Sequence, residues 1–358
     1  MTLPAEPALF RAHPELAQRI PWLPLGKFPT RVQRVDHLLP PSVELWVKHE
    51  DESGELYGGN KVRKLEFLLA QARAYGATRL GTIGGIGSHH VLATAVYGRR
   101  AGFEVEAVVF PQPLNDHVRE QLLADVAAGA KLRATAGLAG VPWAVWAVRR
   151  RPATAWIAGG GSSVTGTIGF ISAGCELKEQ LQAGELPRMD AVYGAIGSCG
   201  TIAGLLVGLA GEDAPEVVGV RVVDRVVCNA SKTLRLAGAA RFALLPPNTR
   251  ARFGPLAPLR VEHRFFGGAY GRSTPEADAA VAAAAAVGLR LEPTYTGKAM
   301  AALLADARSG RLNGKRVLFL HTYSGADLSP LLASGPGPSA LPPLLQQHFA
   351  ADHPSTSP

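Results

Sequence analysis

Twice in this chain an apolar, strand-like run ends on a cluster of glycines and passes directly into a helical pattern. Arg79 to Ile83 runs into Gly84-Gly85-Ile86-Gly87-Ser88-His89-His90, and a helix follows with Val91, Ala95 and Val96 on one face. Ala191 to Ile196 runs into Gly197-Ser198-Cys199-Gly200-Thr201, and the helix Ile202–Leu209 follows. A third cluster, Gly159-Gly160-Gly161-Ser162-Ser163, precedes a helix predicted from Gly166 to Leu181. Strands that alternate with helices in this way need crossover connections, which means a mostly parallel sheet flanked by helices. The fold class is therefore α/β.

Further runs fit that plan. Val43 to Lys48, Val105 to Phe110, Val217 to Val223 and Arg316 to His321 are expected as strands. Asp116–Ala128, Pro275–Val287 and Thr296–Ala307 are expected as helices. Residues 131–158 and 244–272 show no clean period. Trp143 and Trp146, at helical spacing, are expected in the core. The proline-rich tail after Gly335 is expected to be loose.

With 358 residues, 47% apolar and 18% charged, the chain suits two soluble globular domains. Its net charge of +8 is mostly dispersed arginine, with one dense run at Arg149-Arg150-Arg151. That pattern suits solubility and anionic small ligands better than a nucleic-acid face. Cys175, Cys199 and Cys228 have no metal or disulfide spacing. Met1-Thr2-Leu3-Pro4 lacks a secretory pattern, and no apolar run reaches membrane-spanning length, so a cytoplasmic enzyme is the expectation.

One lysine stands out. In Tyr57-Gly58-Gly59-Asn60-Lys61-Val62-Arg63-Lys64-Leu65-Glu66, Lys61 falls at the start of a helix predicted to run to about Tyr75. A helix N-terminus disfavours a cation and lowers its pKa, which is what a nucleophilic amine needs. The competing reading is a solvated lysine beside two other cations. The loop Gly197 to Thr201 aims backbone N–H groups at one spot, as a phosphate requires. The competing reading there is a tight turn with glycines for packing. Gly194, Gly197 and Gly200 do not have dinucleotide spacing, and the Walker pattern is absent, so a single phosphate is favoured and a nicotinamide oxidoreductase is not. A lysine at one glycine turn and a monophosphate loop at another, over a hundred residues on, point to pyridoxal 5'-phosphate.

Several stretches together resemble the 1-aminocyclopropane-1-carboxylate deaminase and D-cysteine desulfhydrase family of fold type II pyridoxal-phosphate enzymes. They are Gly58 to Phe67, Gly85 to His90, Gly159 to Ser162, Gly197 to Leu205, Glu292-Pro293-Thr294-Tyr295-Thr296-Gly297-Lys298-Ala299-Met300 and Phe319-Leu320-His321-Thr322. The resemblance implies a tryptophan synthase β-like architecture of two open, twisted, mostly parallel sheets. A large domain would take residues 1–62 and 160–335, a small one 63–159, and a flexible tail 336–358. It implies that Lys61 bonds to the cofactor and then acts as base at the substrate Cα. Asn60, His89, Gly197, Ser198, Cys199, Gly200, Thr201 and Thr322 would contact the cofactor, with Thr322 facing the pyridine nitrogen. Tyr295 and Tyr270 would be the active-site tyrosines. Ser88, His89, His90, Gly161, Arg272 and Tyr323 would face the substrate, with Ser88 taking its carboxylate.

Some positions depart from the family. Gly87 and His89 replace a Gln and an Asn, Tyr323 and Ser324 intrude before Gly325, and Arg272-Ser273 follow Tyr270-Gly271. Arg272 either pairs with an acidic substrate group or is a solvated loop arginine. Thr296 and Thr322 lean toward the desulfhydrases, and a neutral hydroxyl at the pyridine nitrogen suits β-elimination. The implied activity is removal of a β-leaving group from a small amino acid, D-cysteine or a similar D- or β-substituted one, to give an oxo acid and ammonia. A specialised biosynthetic elimination or β-replacement, and a cofactor-holding member without turnover, are the alternatives. A homodimer is what the family implies, and the composition leads to no expected nucleic-acid or membrane partner.

Overall fold

The computed structural model describes residues 6–245 and 254–349. The N-terminal Met1 to Pro4 stretch, part of the 244–272 segment and the last residues of the tail lie outside them.

In chain order the strands are β1 (Val32–Val35), β2 (Glu44–His49), β3 (Arg79–Gly85), β4 (Glu104–Phe110), β5 (Ala130–Ala134), β6 (Thr154–Trp156), β7 (Ala191–Ile196), β8 (Glu216–Arg221), β9 (Leu259–Glu262) and β10 (Arg316–His321). The helices are α1 (Ala8–Ala12), α2 (Lys61–Ala74), α3 (His89–Arg100), α4 (Asp116–Ala127), α5 (Val141–Arg149), α6 (Val164–Gln182), α7 (Gly200–Gly208), α8 (Ala230–Leu244), α9 (Pro275–Ala285), α10 (Thr296–Arg308), α11 (Ser329–Ala333) and α12 (Pro343–Gln346). Among the described residues no helix is long and apolar enough to cross a membrane.

The chain forms two compact units, one of residues 1–74 and 160–326, the other of 75–159 and 327–358. The first holds a six-stranded sheet in the order β1-β2-β10-β7-β8-β9. Only β1 runs antiparallel to its neighbour; the other pairings are parallel. Both faces of this sheet are covered. Leu318 and Leu320 of β10 point into a core shared with Phe67, Phe170 and Ile202. Val317 and Phe319 point the other way, into a core with Ala299, Met300 and Leu303. Alternation with apolar residues on both faces explains why these strands read as continuous apolar runs.

The second unit holds a four-stranded parallel sheet in the order β5-β4-β3-β6. Here the expected domain boundaries need correction. Helix α2 is continuous from Lys61 to Ala74, so the break cannot fall at residue 62; it falls after the helix ends. The tail is not loose over its described part. Leu341 and Leu345 are buried in the core of the second unit with Ile86, Val91, Val109 and Val118. Two leucines in a proline-rich segment suffice to dock it, a signal that composition hides.

The ambiguous 131–158 region contains α5 and β6, and the 244–272 region contains β9. Trp143 and Trp146 are not core residues. They stack on each other with centroids 4.5 Å apart on the outside of α5, where Trp143 is 69% exposed.

A buried ionic network braces the first unit. Arg63 donates to Glu50 and Glu176, and Lys48 donates to Glu176, Gln180 and the Thr30 carbonyl. It locks the first turn of α2 to β2 and α6.

Candidate active site

Lys61 is the first residue of α2, as its sequence context predicts. The turn before it is held on both sides. Gly58 N–H donates to Ser324 Oγ at 3.0 Å, Gly59 N–H to the Glu50 carbonyl at 2.9 Å, and Asn60 N–H to the Thr322 carbonyl at 3.3 Å. Gly59 has φ +86°, and a Cβ there would lie 2.8 Å from the Thr322 carbonyl oxygen, so glycine is required for both reasons. The loop after β10 is thus fixed against the lysine turn.

The Lys61 ammonium donates to Asn60 Oδ1 at 2.6 Å, and Asn60 Nδ2 donates to Thr201 Oγ1 at 3.1 Å. Burial lowers the Lys61 pKa to about 8, against the opposing pull of the Glu292 carboxylate. Desolvation is the dominant cause, which adds to the helix-terminus argument made from sequence.

Thr201 belongs to a polar cradle. Ser162 Oγ and Ser198 Oγ lie 2.7 Å apart, Gly200 N–H donates to Ser162 Oγ at 3.1 Å, and Lys64 Nζ donates to Ser162 Oγ at 3.2 Å and to the Gly160 carbonyl at 3.0 Å. Cys199 caps α7 with φ +71°, a conformation rare outside glycine, and this turns the Gly200 amide into the cradle. The cradle has no room for extra carbon. A Cβ on Gly160 would lie 2.1 Å from Ser198 Oγ, and one on Gly200 would lie 2.5 Å from Ser162 Oγ.

Lys64 was not foreseen as a site residue. Its side chain is almost fully buried, and desolvation together with the Lys61 charge drives its pKa well below the ordinary value. A buried lysine beside two serine hydroxyls and a helix N-terminus is what an anion of phosphate size would neutralise. Its spacing three residues after Lys61 on a helix was the available signal. Ser162 was missed although its glycine cluster was not.

Tyr270 and Tyr295 meet, their hydroxyls 2.5 Å apart. Burial raises both phenol pKa values, further for Tyr295, because Tyr270 raises it while the hydrogen bond between them lowers Tyr270. Glu292 is buried and accepts from the backbone N–H groups of Thr294, Tyr295 and Thr296, each at 2.8 Å. Its charge also opposes the lowering of Lys61, so one carboxylate biases the lysine and both phenols. Gly197 packs near the Tyr295 ring, where a Cβ would be 3.7 Å away, which brings the Gly197–Thr201 loop and the tyrosines together. Gly161 is buried beside Lys64. Tyr323 is half-buried, while Arg272 is exposed, in keeping with a solvated loop arginine.

In the second unit, Ser88 is buried at the N-terminus of α3. His90 turns inward, its Nε2 2.9 Å from Thr82 Oγ1, as a packing histidine does. His89 is half-buried with its Nε2 3.3 Å from His117 Nε2, a neighbour that sequence spacing did not reveal.

The lysine, the cradle and the phenol pair fit pyridoxal phosphate. Comparison with known proteins agrees. Residues 23–322 match a family model described as pyridoxal-phosphate dependent enzyme. Nocardicin C-9' epimerase from Nocardia uniformis subsp. tsuyamanensis is 36% identical over 338 residues, 90% of this chain and 98% of that protein. D-Cysteine desulfhydrase from Yersinia pestis (strain Pestoides F) is 33% identical over 295 residues, 78% of this chain and 86% of that protein. A crystal structure of an ACC deaminase homologue superposes with TM-score 0.75 at 28% identity, covering 92% of this chain and all of that one. The chain belongs to the pyridoxal-phosphate-dependent enzymes, in the group of the 1-aminocyclopropane-1-carboxylate deaminases and D-cysteine desulfhydrases.

Proposed function

We propose that this enzyme removes the Cα proton of a small amino acid and expels its β-substituent, giving an oxo acid and ammonia. One arrangement carries the reading. An amine whose pKa is lowered to about 8 is linked through Asn60 to a phosphate cradle, and it shares the field of Glu292 with two phenols that stay protonated. Bound pyridoxal phosphate supplies the electron sink for the charge left at Cα.

Lys64, Ser162, Ser198, Thr201 and the Gly200 amide would hold the phosphate. Lys61, neutral in an appreciable fraction near pH 7, takes the Cα proton. The Tyr270–Tyr295 pair keeps its hydroxyl protons and can hand one to the departing β-group. The balance is one proton from Cα to Lys61, one proton from tyrosine to the leaving group, and cleavage of the Cβ–substituent bond; the enamine acid released takes up one water to give the oxo acid and ammonia, and the proton on Lys61 restores the tyrosine. Ser88 opens α3, whose first amides suit a carboxylate. The D-cysteine desulfhydrase likeness makes D-cysteine the first substrate class to try.

Epimerisation is a second reading, favoured by the 36% identity to nocardicin C-9' epimerase. It uses the same proton removal, but tyrosine returns a proton to Cα and no β-bond breaks. Incubation with D-cysteine, other β-substituted amino acids and amino acids without a leaving group separates the readings. Oxo acid and ammonia support elimination. Inverted amino acid without oxo acid supports epimerisation. Neither product from protein that holds its cofactor leaves a binding protein and sinks both. A homodimer belongs to the same proposal, and light scattering at the mass of one chain would count against it.

A further inference from the structure

His49 closes β2, His321 closes β10, and the two stand opposite each other in the parallel register. Asp51, in the turn after β2, reaches between them. Its Oδ1 lies 3.2 Å from His49 Nδ1 and 2.9 Å from His321 Nδ1.

The outer nitrogen of each ring fixes its tautomer. His321 Nε2 is 2.8 Å from the Arg290 carbonyl oxygen, which can only accept, so that nitrogen carries a proton. His49 Nε2 is 3.0 Å from Gln33 Oε1, and Arg31 Nη1 donates to the same oxygen at 2.6 Å. The arginine identifies that atom as the amide oxygen, so His49 Nε2 is also a donor. Each neutral ring therefore turns a bare Nδ1 lone pair toward one carboxylate oxygen. Two lone pairs facing an anion repel it unless something positive lies between.

The two ring centroids lie 5.9 Å apart, and both rings are buried, His49 at 4% and His321 at 3% exposure. His321 Nδ1 also makes no aligned hydrogen bond among the described residues despite its 2.9 Å approach. The spacing suits a coordination sphere instead. Metal–ligand arms of about 2.0–2.2 Å meeting at octahedral to tetrahedral angles put ligand atoms about 2.8–3.6 Å apart, a range that holds both Asp51 distances, and all three ligand atoms lie within 4.8 Å of one another. A histidine that binds metal through one nitrogen usually donates the other N–H to a carbonyl or carboxylate, as both rings do here.

We propose that His49, Asp51 and His321 form a binding site for a divalent first-row transition ion, with zinc the first to test. Imidazole and carboxylate donors suit such an ion, and three protein ligands leave a position for water. Glu52 Oε1, 3.6 Å from His49 Nδ1, is engaged by Arg31 and is not counted as a ligand. The ion would staple the turn that leads to Lys61 to the strand that leads to Thr322. The two segments already touch there, since the Thr322 carbonyl accepts from the Asn60 N–H.

The test is metal uptake by full-length protein, purified with its cofactor, dialysed against chelator and titrated with Co2+ and then Zn2+. The expected result is one equivalent per chain, visible Co2+ bands that Zn2+ abolishes, and a rise in melting temperature with Zn2+. His49→Gln and, separately, Asp51→Asn should lower Zn2+ affinity by about tenfold or more. Uptake of neither ion by the wild type overturns the site. So does uptake that is unchanged in a variant shown by its melting transition to be folded. If both variants fail to fold, the wild-type Co2+ spectrum decides, since a site made of water and carboxylates alone would contradict the proposal. None of these readouts depends on turnover, so a failure here is separable from a failure of the proposed reaction.

Discussion

At the scale of single residues, the proposed function rests on two lysines three positions apart with different roles. Lys61 has a pKa of about 8, and only its neutral form is a nucleophile or base. The rate at which stripped protein recaptures pyridoxal phosphate should therefore rise with pH around a midpoint near 8 and level off above it. A midpoint near the ordinary lysine value, measured by stopped-flow absorbance, would contradict the role given to burial. Lys64 points at the cradle instead. Lys64→Met should weaken cofactor affinity by about 10- to 150-fold, the equivalent of a charge-assisted hydrogen bond of about 1.5–3 kcal/mol. It should not destabilise the stripped protein, because that lysine is buried at a cost when no anion is bound. Equilibrium dialysis and a melting curve check the two halves. Lys61 was legible because a glycine turn, a helix start and a reactive residue type coincide in ten positions. Lys64 and Ser162 were not, because their meaning lies in a contact between α2 and a turn nearly a hundred residues later. His89 was legible as an anomaly, but its partner His117 needed the fold.

At the scale of elements, the first turn of α2 is held by ion pairs as much as by apolar packing. Glu176 accepts from both Arg63 and Lys48, and these partners pull its carboxyl down to about 2 despite the opposing cost of burial. The stabilisation this confers is fully present above the ordinary glutamate range and is lost as pH falls through about 2. Glu176→Gln should cost about 3–5 kcal/mol at neutral pH, since two buried cations lose their shared counter-ion. The variant should also lose part of the acid dependence between pH 4.5 and 2, which denaturant melts across that range would measure. Strands such as Ala191–Ile196 and Arg316–His321 were legible to the residue, because a sheet covered on both faces leaves an uninterrupted apolar run. Strand β9 and helix α8 were not, since their partly exposed positions break any clean period. Trp143 and Trp146 show the reverse error, where helical spacing suggested the core although both side chains meet solvent.

At the scale of the whole molecule, the parallel α/β architecture followed from strand–glycine–helix order, while the domain limits did not. A helix cannot be divided, so α2 stays with the unit in which it starts. The proline-rich end of the chain looked dispensable by composition but supplies Leu341 and Leu345 to the core of the second unit. Deleting residues after Gly335 should therefore destabilise that unit by about 3–6 kcal/mol, from two buried leucines at about 1.5–3 kcal/mol each. A truncated protein with an unchanged melting transition would show that the docked segment contributes nothing.

In the proposed reaction the lysine, the phosphate cradle and the phenol pair together take a proton from an amino-acid Cα. Incubation in D2O with a panel of D- and L-amino acids, followed by mass spectrometry, tests this before any question of product arises. Wild-type protein should incorporate Cα deuterium into, or eliminate, at least one amino acid, and Lys61→Ala should do neither. Protein that holds pyridoxal phosphate on Lys61 yet exchanges no Cα proton would contradict it.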